Sequence, residues 1–244
     1  FYSCVSMTTP IRIAKFIAQS GLCSRREAEK RIFAGCVQVN GQTITSPAFH
    51  VNPEDKILVD GIQLAKPEKP RLWIYYKPIG ILTTHKDPQR RQTVFDLLPK
   101  DMPRVISVGR LDMFSEGLLL LTTSGTLVYK LEHPKNAFTR LYHVCINTCP
   151  SPEQLSTINK GLTIDGISYQ RVRVKIKKKL AKQTWLVFTL QEGKNREIRR
   201  IVDFMGWKVL RLIRQKYGPF SLGSLKPGDL QEVPVQHFES LLEC

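Results

Sequence analysis

Asp112 stands where a carboxylate could do chemistry. It follows Arg110 by two positions in Gly109-Arg110-Leu111-Asp112, and it shortly precedes Gly117-Leu-Leu-Leu-Leu-Thr-Thr-Ser-Gly125. A carboxylate can serve as a nucleophile or as a base, and a nearby guanidinium favours its charged form. The same two side chains could instead form a structural ion pair at a strand end, and these residues alone leave both readings open. Position adds weight to the first. The run Leu118 to Leu121 is too short to cross a bilayer and reads as a buried strand. Asp112 then lies on a loop anchored to a rigid core element, where reacting groups tend to be found.

A second set of groups clusters in Glu192-Gly-Lys-Asn-Arg-Glu-Ile-Arg-Arg200. Ile198, Ile201, Val202 and Met205 fall at i, i+3, i+4 and i+7, the buried stripe of a helix. Arg196, Arg199 and Arg200 project from its first turns, where cations oppose the helix dipole. That placement asks for a compensating anion, either a phosphate or a carboxylate such as Asp112; a solvated face is the plainer alternative. Arg171-Val-Arg-Val-Lys-Ile-Lys177 alternates, so a strand would put Arg171, Arg173, Lys175 and Lys177 on one face. Lys178, Lys179 and Lys182 extend the patch. It is either an RNA-backbone contact or an edge strand kept from aggregating by its charge. Tyr142, as an isolated aromatic, would be a half-buried strand residue, and Lys77 a solvated residue before a proline turn.

The 244 residues suffice for one large domain or two smaller ones. Residues 10–65 read as a small unit. Ile13, Phe16 and Ile17 make a short helix face, and Ser24-Arg-Arg-Glu27 is a capping box opening a helix that carries Arg25, Arg26, Lys30 and Arg31, with Ala28 and Ile32 inward. Val37-Gln-Val39-Asn40-Gly41-Gln42 is a hairpin signal. The linker Lys66-Pro67-Glu68-Lys69-Pro70 marks the boundary. Beyond it, strands are expected at Trp73–Tyr76, Leu141–Ile146 and Trp185–Leu190. Helices are expected at Thr126–Glu132 and Ile198–Met205. Without βαβ regularity the class is α+β.

The formal charge is +16, and residues 67–244 carry 29 Lys and Arg against 16 Asp and Glu. Such an excess points to a polyanion. No segment approaches a membrane span, and no basic amphipathic helix with a broad aromatic face is present, so nucleic acid is the expected partner. The six cysteines, Cys4, Cys23, Cys36, Cys145, Cys149 and Cys244, lack zinc spacing and read as free thiols in a reducing compartment. The five histidines are scattered, so no metal centre is expected. Phe1–Ser6 lacks the character of a signal peptide; Met7 is a candidate initiator, and a cytoplasmic location is expected.

Together these residues resemble the bacterial ribosomal RNA pseudouridine synthases of the RsuA and RluB type, over nearly the whole chain. The N-terminal part is similar to an S-four-type RNA-binding domain at Ser24–Ile32 and Gly35–Gly41. The catalytic part is similar at Tyr76-Lys-Pro-Ile-Gly80, at Val108-Gly-Arg-Leu-Asp-x-x-Ser-x-Gly-Leu-Leu-Leu-Leu-Thr122, at Arg140-Leu-Tyr142 and at the 192–200 motif. Four motifs in order are far more specific than any one. The chain departs from the pattern at Ser115, where the family usually has Thr, and at Ser124, where Asp is common.

The resemblance implies a small RNA-binding domain over 9–66 and a catalytic domain over 70–240 with a mixed, mainly antiparallel sheet. It implies Asp112 as the catalytic aspartate, Tyr142 stacking on a flipped uracil, and Arg199 pairing with Asp112. Arg110 would enter the RNA stack, Lys77 would form part of the adjoining wall, and Lys194, Arg196 and Arg200 would bind substrate. Arg25, Arg26, Lys30, Arg31, Arg171, Arg173, Lys175 and Lys177 would contact RNA. The implied reaction breaks N1–C1′ of uridine and joins C5 to C1′; it adds nothing and changes no oxidation state, so no cofactor is required. Whether Asp112 attacks C1′, adds to C6 or removes the 2′ proton stays open. The implied partner is ribosomal RNA, leaning to the large subunit, free or in an assembly intermediate, met by a monomer.

The alternatives are a small-subunit RNA target and a non-catalytic assembly factor, which the charge and the small domain would equally suit. A glycoside hydrolase would need two carboxylates flanking one bond, and Asp112 with Glu116 is one candidate pair on a polycationic chain. An RNA methyltransferase would need a nucleotide-cofactor fold, and no G-x-G-x-x-G follows a strand.

Overall fold

The computed structural model describes residues 10–66, 68–169 and 172–242. Phe1–Ser6, Met7, Arg171, Cys4 and Cys244 lie outside them. Contacts divide the chain into two units. One holds the residues up to Pro70 with Met102–Val105 and Thr123–Gly125, and the other holds the rest.

In the smaller unit β1 (Ile11–Arg12) leads into α1 (Ile13–Gln19), which buries Ile13, Phe16 and Ile17 as its spacing predicts. α2 (Arg25–Phe33) begins at Ser24, whose hydroxyl accepts the Glu27 N–H at 3.2 Å. Only that half of the capping box matches the expectation: Glu27 turns its carboxylate toward Arg31, 4.0 Å away. β2 (Val37–Val39) and β3 (Gln42–Ile44) form the expected hairpin. Asn40 and Gly41 sit at φ +51 and +85, the left-handed pair that a two-residue type I′ turn requires. β4 (His50–Val51) pairs with β1. β5 (Ile57–Val59) and β6 (Ile62–Gln63) complete a four-stranded antiparallel sheet in the order β3-β2-β5-β6. Ile13, Ile17, Ala28, Ile32, Val37 and Val59 meet in its core.

The larger unit runs β7 (Leu72–Lys77), β8 (Ile106–Val108), β9 (Glu116–Thr122), α3 (Gly125–Glu132), β10 (Arg140–Ile146) and α4 (Pro152–Lys160). It continues through β11 (Leu162–Ile164), β12 (Ile167–Tyr169), β13 (Arg173–Lys179), β14 (Thr184–Leu190), α5 (Glu197–Phe204), β15 (Val209–Tyr217), β16 (Phe220–Ser221) and β17 (Leu230–Val233). Its nine-stranded sheet has the order β13-β14-β10-β15-β9-β7-β17, with β8 against β9 and β16 against β15. Only the β9–β15 pairing among these is parallel, so the fold is α+β with a mixed, mainly antiparallel sheet. The run 118–121 lies in β9, every residue of which is buried. Among the described residues no helix is long and apolar enough to cross a membrane. Cys23, Cys36, Cys145 and Cys149 are free thiols.

Candidate active site

Three local departures from regular structure assemble the site in the larger unit. The first is at the start of β9. Gly117 has φ +103, and a Cβ there would lie 2.4 Å from the Arg214 carbonyl oxygen. Only glycine allows the backbone approach that sets the Arg214↔Gly117 pairing. The loop before it is tied at many points. The Gly109 N–H donates to the Glu132 carboxylate, Thr83 Oγ1 donates to the Leu111 carbonyl at 3.0 Å, and the Gly80 N–H donates to the Met113 carbonyl at 2.7 Å. A turn closes it, with the Ser115 N–H donating to the Asp112 carbonyl at 2.9 Å. Asp112 is therefore held by its backbone.

The second departure is a β-bulge. β10 presents Arg140 and Tyr142 on one face, opposite Tyr217 and Arg214 of β15. The register shifts by one residue between these pairs, leaving Gln215 as the extra residue. Arg214 and Tyr217, three apart, consequently share a face that simple alternation would deny them. The Arg140 guanidinium lies 4.5 Å from the Tyr217 ring centroid and donates to its hydroxyl at 2.8 Å. Arg214, only 3% exposed, donates from Nε to the Leu118 carbonyl at 2.7 Å, while its buried Nη2 has no hydrogen-bond partner.

The third is the turn into α5. Arg196 occupies the left-handed region at φ +51 as the residue before the helix. This conformation costs a non-glycine residue about 1–2 kcal/mol. Glu197 stabilises the turn: its N–H donates to the Lys194 carbonyl at 3.2 Å, and its carboxylate accepts the Lys194 N–H at 3.1 Å. Burial first, then the charge of Glu192, pushes the Glu197 carboxyl up to about 7. Arg196 thereby brings Nη1 to 3.6 Å from Asp112 Oδ2. These pieces enclose a cavity of about 580 Å³ lined by Asp112, Tyr142, Arg110, Arg140, Arg196, Arg199 and Arg214, among others.

Several expectations change here. Arg110 lines the cavity but does not pair with Asp112, so the structural ion pair between them is absent. Arg199 is not the ion-pair partner of Asp112 either. Its Nη2 donates to the Phe114 carbonyl at 2.6 Å and lies 3.4 Å from Ser115 Oγ, while the left-handed turn delivers Arg196 to the carboxylate instead. Burial lowers the pKa of Arg199, the charge of Arg196 acts the same way, and Asp112 opposes both. Asp112 keeps 38% of its side-chain exposure, so the cavity is open to water rather than closed.

Lys77 is neither a wall nor solvated. It is fully buried because β7 is covered on both faces, and Nζ donates to the Pro78 and Ser115 carbonyls at 2.9 and 2.8 Å. Burial depresses its pKa to about 8, against the pull of Asp112 and Glu116. Lys194 lines the cavity with Nζ 2.7 Å from a Glu192 carboxylate oxygen. Arg200, on α5, does not line it.

The RNA-contact candidates also separate. Arg25, Arg26 and Lys30 are exposed on α2, whereas Arg31 is paired with Asp60. Arg171 lies outside the described residues. Arg173 and Lys175 share a face with Leu141 and His143, as register partners through Thr189 and Val187. Tyr142 is on the opposite face. The basic row of β13 thus faces away from the cavity. Lys177 sits at a bulge in that row, with Nζ 3.1 Å from His143 Nδ1.

The comparisons with known proteins give the family of the chain. Residues 71–203 match the family model of RNA pseudouridylate synthase, and residues 11–57 match that of the S4 domain. An uncharacterized RNA pseudouridine synthase of Rickettsia felis is 51% identical over 222 residues, covering 91% of this chain and 96% of the relative. The chain belongs to the RNA pseudouridine synthase family. This synthase is also 34% identical to the ribosomal large subunit pseudouridine synthase B of Bacillus subtilis, over 94% of this chain and 95% of that one. A crystal structure of a pseudouridylate synthase superposes with a TM-score of 0.68 at 25% identity, covering 95% of this chain and 99% of that one.

Sequence reasoning missed Glu197, Arg214 and Tyr217 as parts of the synthase cavity. For Arg214 a signal existed, a cation amid the apolar residues Leu212 and Ile213. For Tyr217 none did, because the bulge that turns it inward leaves no trace in the alternation.

Proposed function

We propose that this synthase isomerises uridine to pseudouridine in large-subunit ribosomal RNA, with Asp112 as the reacting carboxylate. The reading rests on one observation: Asp112 and Tyr142 line a single cavity of about 580 Å³ crowded with guanidinium groups. Such a volume suits a small ligand, and the cations suit an RNA strand around it. The similarity to the large-subunit synthase of Bacillus subtilis supports the choice of RNA.

In this reading the target uridine leaves its stack, at a cost of a few kcal/mol, and enters the cavity. Tyr142 offers its ring to the uracil, and Asp112 meets the sugar or base. Arriving RNA displaces the water that now reaches Asp112. Arg196 is the cation nearest the carboxylate, and Arg199 fixes the loop that carries it. The N1–C1′ bond breaks, the base turns, C5 bonds to C1′, the C5 proton leaves, and N1 gains one. Arg110, Lys194 and Arg196 meet the RNA at the cavity, and Arg200 flanks it along α5. We assign 9–66 as the RNA-binding domain, through Arg25, Arg26, Lys30 and Arg31, and 70–240 as the catalytic domain. The enzyme would act as a cytoplasmic monomer on rRNA, free or in an assembly intermediate.

Asp112→Asn tests the reading. In cells lacking the gene, wild-type protein restores one pseudouridine in large-subunit rRNA, mapped by carbodiimide primer extension, and Asp112→Asn restores none while still binding RNA. Full modification by the variant would remove Asp112 from the chemistry. Restoration in small-subunit rRNA instead would overturn the assigned target.

A further inference from the structure

The loop that carries Asp112 also holds out an aromatic ring that the reaction above does not use. Phe114 is two residues beyond Asp112 and 59% exposed. Its surroundings are not slack. The Phe114 carbonyl accepts from Arg199 at 2.6 Å, the Met113 carbonyl from Gly80 at 2.7 Å, and the Ser115 carbonyl from Lys77 at 2.8 Å. The backbone is pinned on both sides of the residue, so the ring stands out from a rigid turn. The Gly80 bond lays the neighbouring turn alongside, and Ile79 on that turn is 54% exposed. Two large apolar side chains therefore stand on adjoining, fixed turns, and Phe114 lies between Asp112 and Ser115 in sequence, next to residues that line the cavity, without lining it itself.

Charge indicates what covers them. Arg110 is exposed on the same loop, and the chain carries +16. A second copy with the same charge is repelled, while a polyanion is drawn in. RNA is a polyanion that also has flat, apolar faces. When one nucleotide is extruded from a stack, the face of its neighbour is bared to water. An exposed aromatic ring on a pinned turn, two residues from the reacting carboxylate, is suited to cover that face.

Resting on the reading that this cavity receives an extruded uridine, we propose that Phe114, backed by Ile79, is the stacking platform for the nucleobase next to the target. It is a positioning residue, acting on the neighbouring base rather than on the reacting atoms.

The test uses the full chain and a large-subunit rRNA transcript labelled with [5-³H]uridine. Tritium passes to water as C5 bonds to C1′. At sub-saturating RNA, Phe114→Leu and Phe114→Ala lower the single-turnover rate by roughly tenfold, the loss of one base–aromatic stack. Phe114→Trp, which keeps a π-face, recovers most of that loss, and RNA quenches the fluorescence of the new indole. The salt dependence of binding stays the same, since no phosphate contact is removed. A rate for Phe114→Leu equal to wild type would sink the platform, because an apolar side chain without a π-face would then suffice. Sedimentation showing a wild-type dimer that Phe114→Leu dissociates, at unchanged rate, would assign Phe114 and Ile79 to contact with a second copy. Either result leaves the function of Asp112 standing. Conversely, an active Asp112→Asn variant would overturn that function while the aromatic requirement at Phe114 could still be read.

Discussion

The cations inside the larger unit and those on its edge obey different physics. Arg214 is 3% exposed and, among the described residues, has no carboxylate partner. Lys77 is fully buried on two carbonyl oxygens. Burying such a charge costs several kcal/mol even after relaxation. Arg173 and Lys175 on β13 are exposed and lose little to desolvation, but salt screens them. An unpaired buried cation beside a cavity is poised to meet charge that develops there. An exposed row can only adjust how strongly, and at what ionic strength, a polyanion is held. The face assignment sharpens the contrast, because the β13 row points away from the cavity that contains Arg214.

The largest effect is expected at Arg214. Arg214→Gln keeps an N–H for the Leu118 carbonyl but removes the charge. As uracil separates from C1′ it carries negative charge, and removing one preorganised electrostatic group typically costs about 10²–10³ in rate. The single-turnover rate should fall by about that factor, with RNA affinity nearly unchanged. If affinity fell and the rate held, Arg214 would belong with the surface cations and the contrast would collapse.

Next comes the edge. The double variant Arg173→Ala/Lys175→Ala should leave the saturated rate intact and weaken RNA binding. The slope of log affinity against log salt should become shallower by roughly 1.4–1.8, as for two lost phosphate contacts. Filter binding at several salt concentrations measures it. If the slope is unchanged and the variant aggregates instead, the row protects an edge strand and does not touch RNA.

The sequence carried the parts of this contrast that rest on local pattern. The apolar run of β9, the stripe of α5, the Asn40-Gly41 turn and the alternation of β13 are all periodicities, and each formed near its expected place. What could not be read depends on register or on backbone conformation. The bulge at Gln215 rotates Arg214 and Tyr217 onto one face, and no side-chain pattern announces an inserted residue. Arg196 rather than Arg199 reaches Asp112 because one residue adopts φ +51. Lys77 looked solvated because lysine before proline usually is, yet β7 lies inside a sheet whose neighbours come from far along the chain.

Lys77 also gives the smallest prediction, and its sign can be worked through. The unfolded lysine titrates near 10.5 and the folded one near 8. Below pH 8 both states hold the proton, and the cost of burying the charge is fully felt. Between 8 and 10.5 the unfolded chain binds a proton that the folded chain has lost, so stability rises with pH across that window. A neutral amine still has two N–H groups, enough for the Pro78 and Ser115 carbonyls, so the loop tether survives the titration. The gain at pH 9 relative to pH 7 should be on the order of 1 kcal/mol, one unit past the folded pKa. Unfolding free energies from urea titrations would show it as wild type gaining stability relative to Lys77→Met as the pH is raised from 7 to 9, whichever of the two is the more stable at pH 7. A pH-independent difference would mean that the ammonium is stabilised in place, and the buried cations would then differ less from the exposed ones than their surroundings imply.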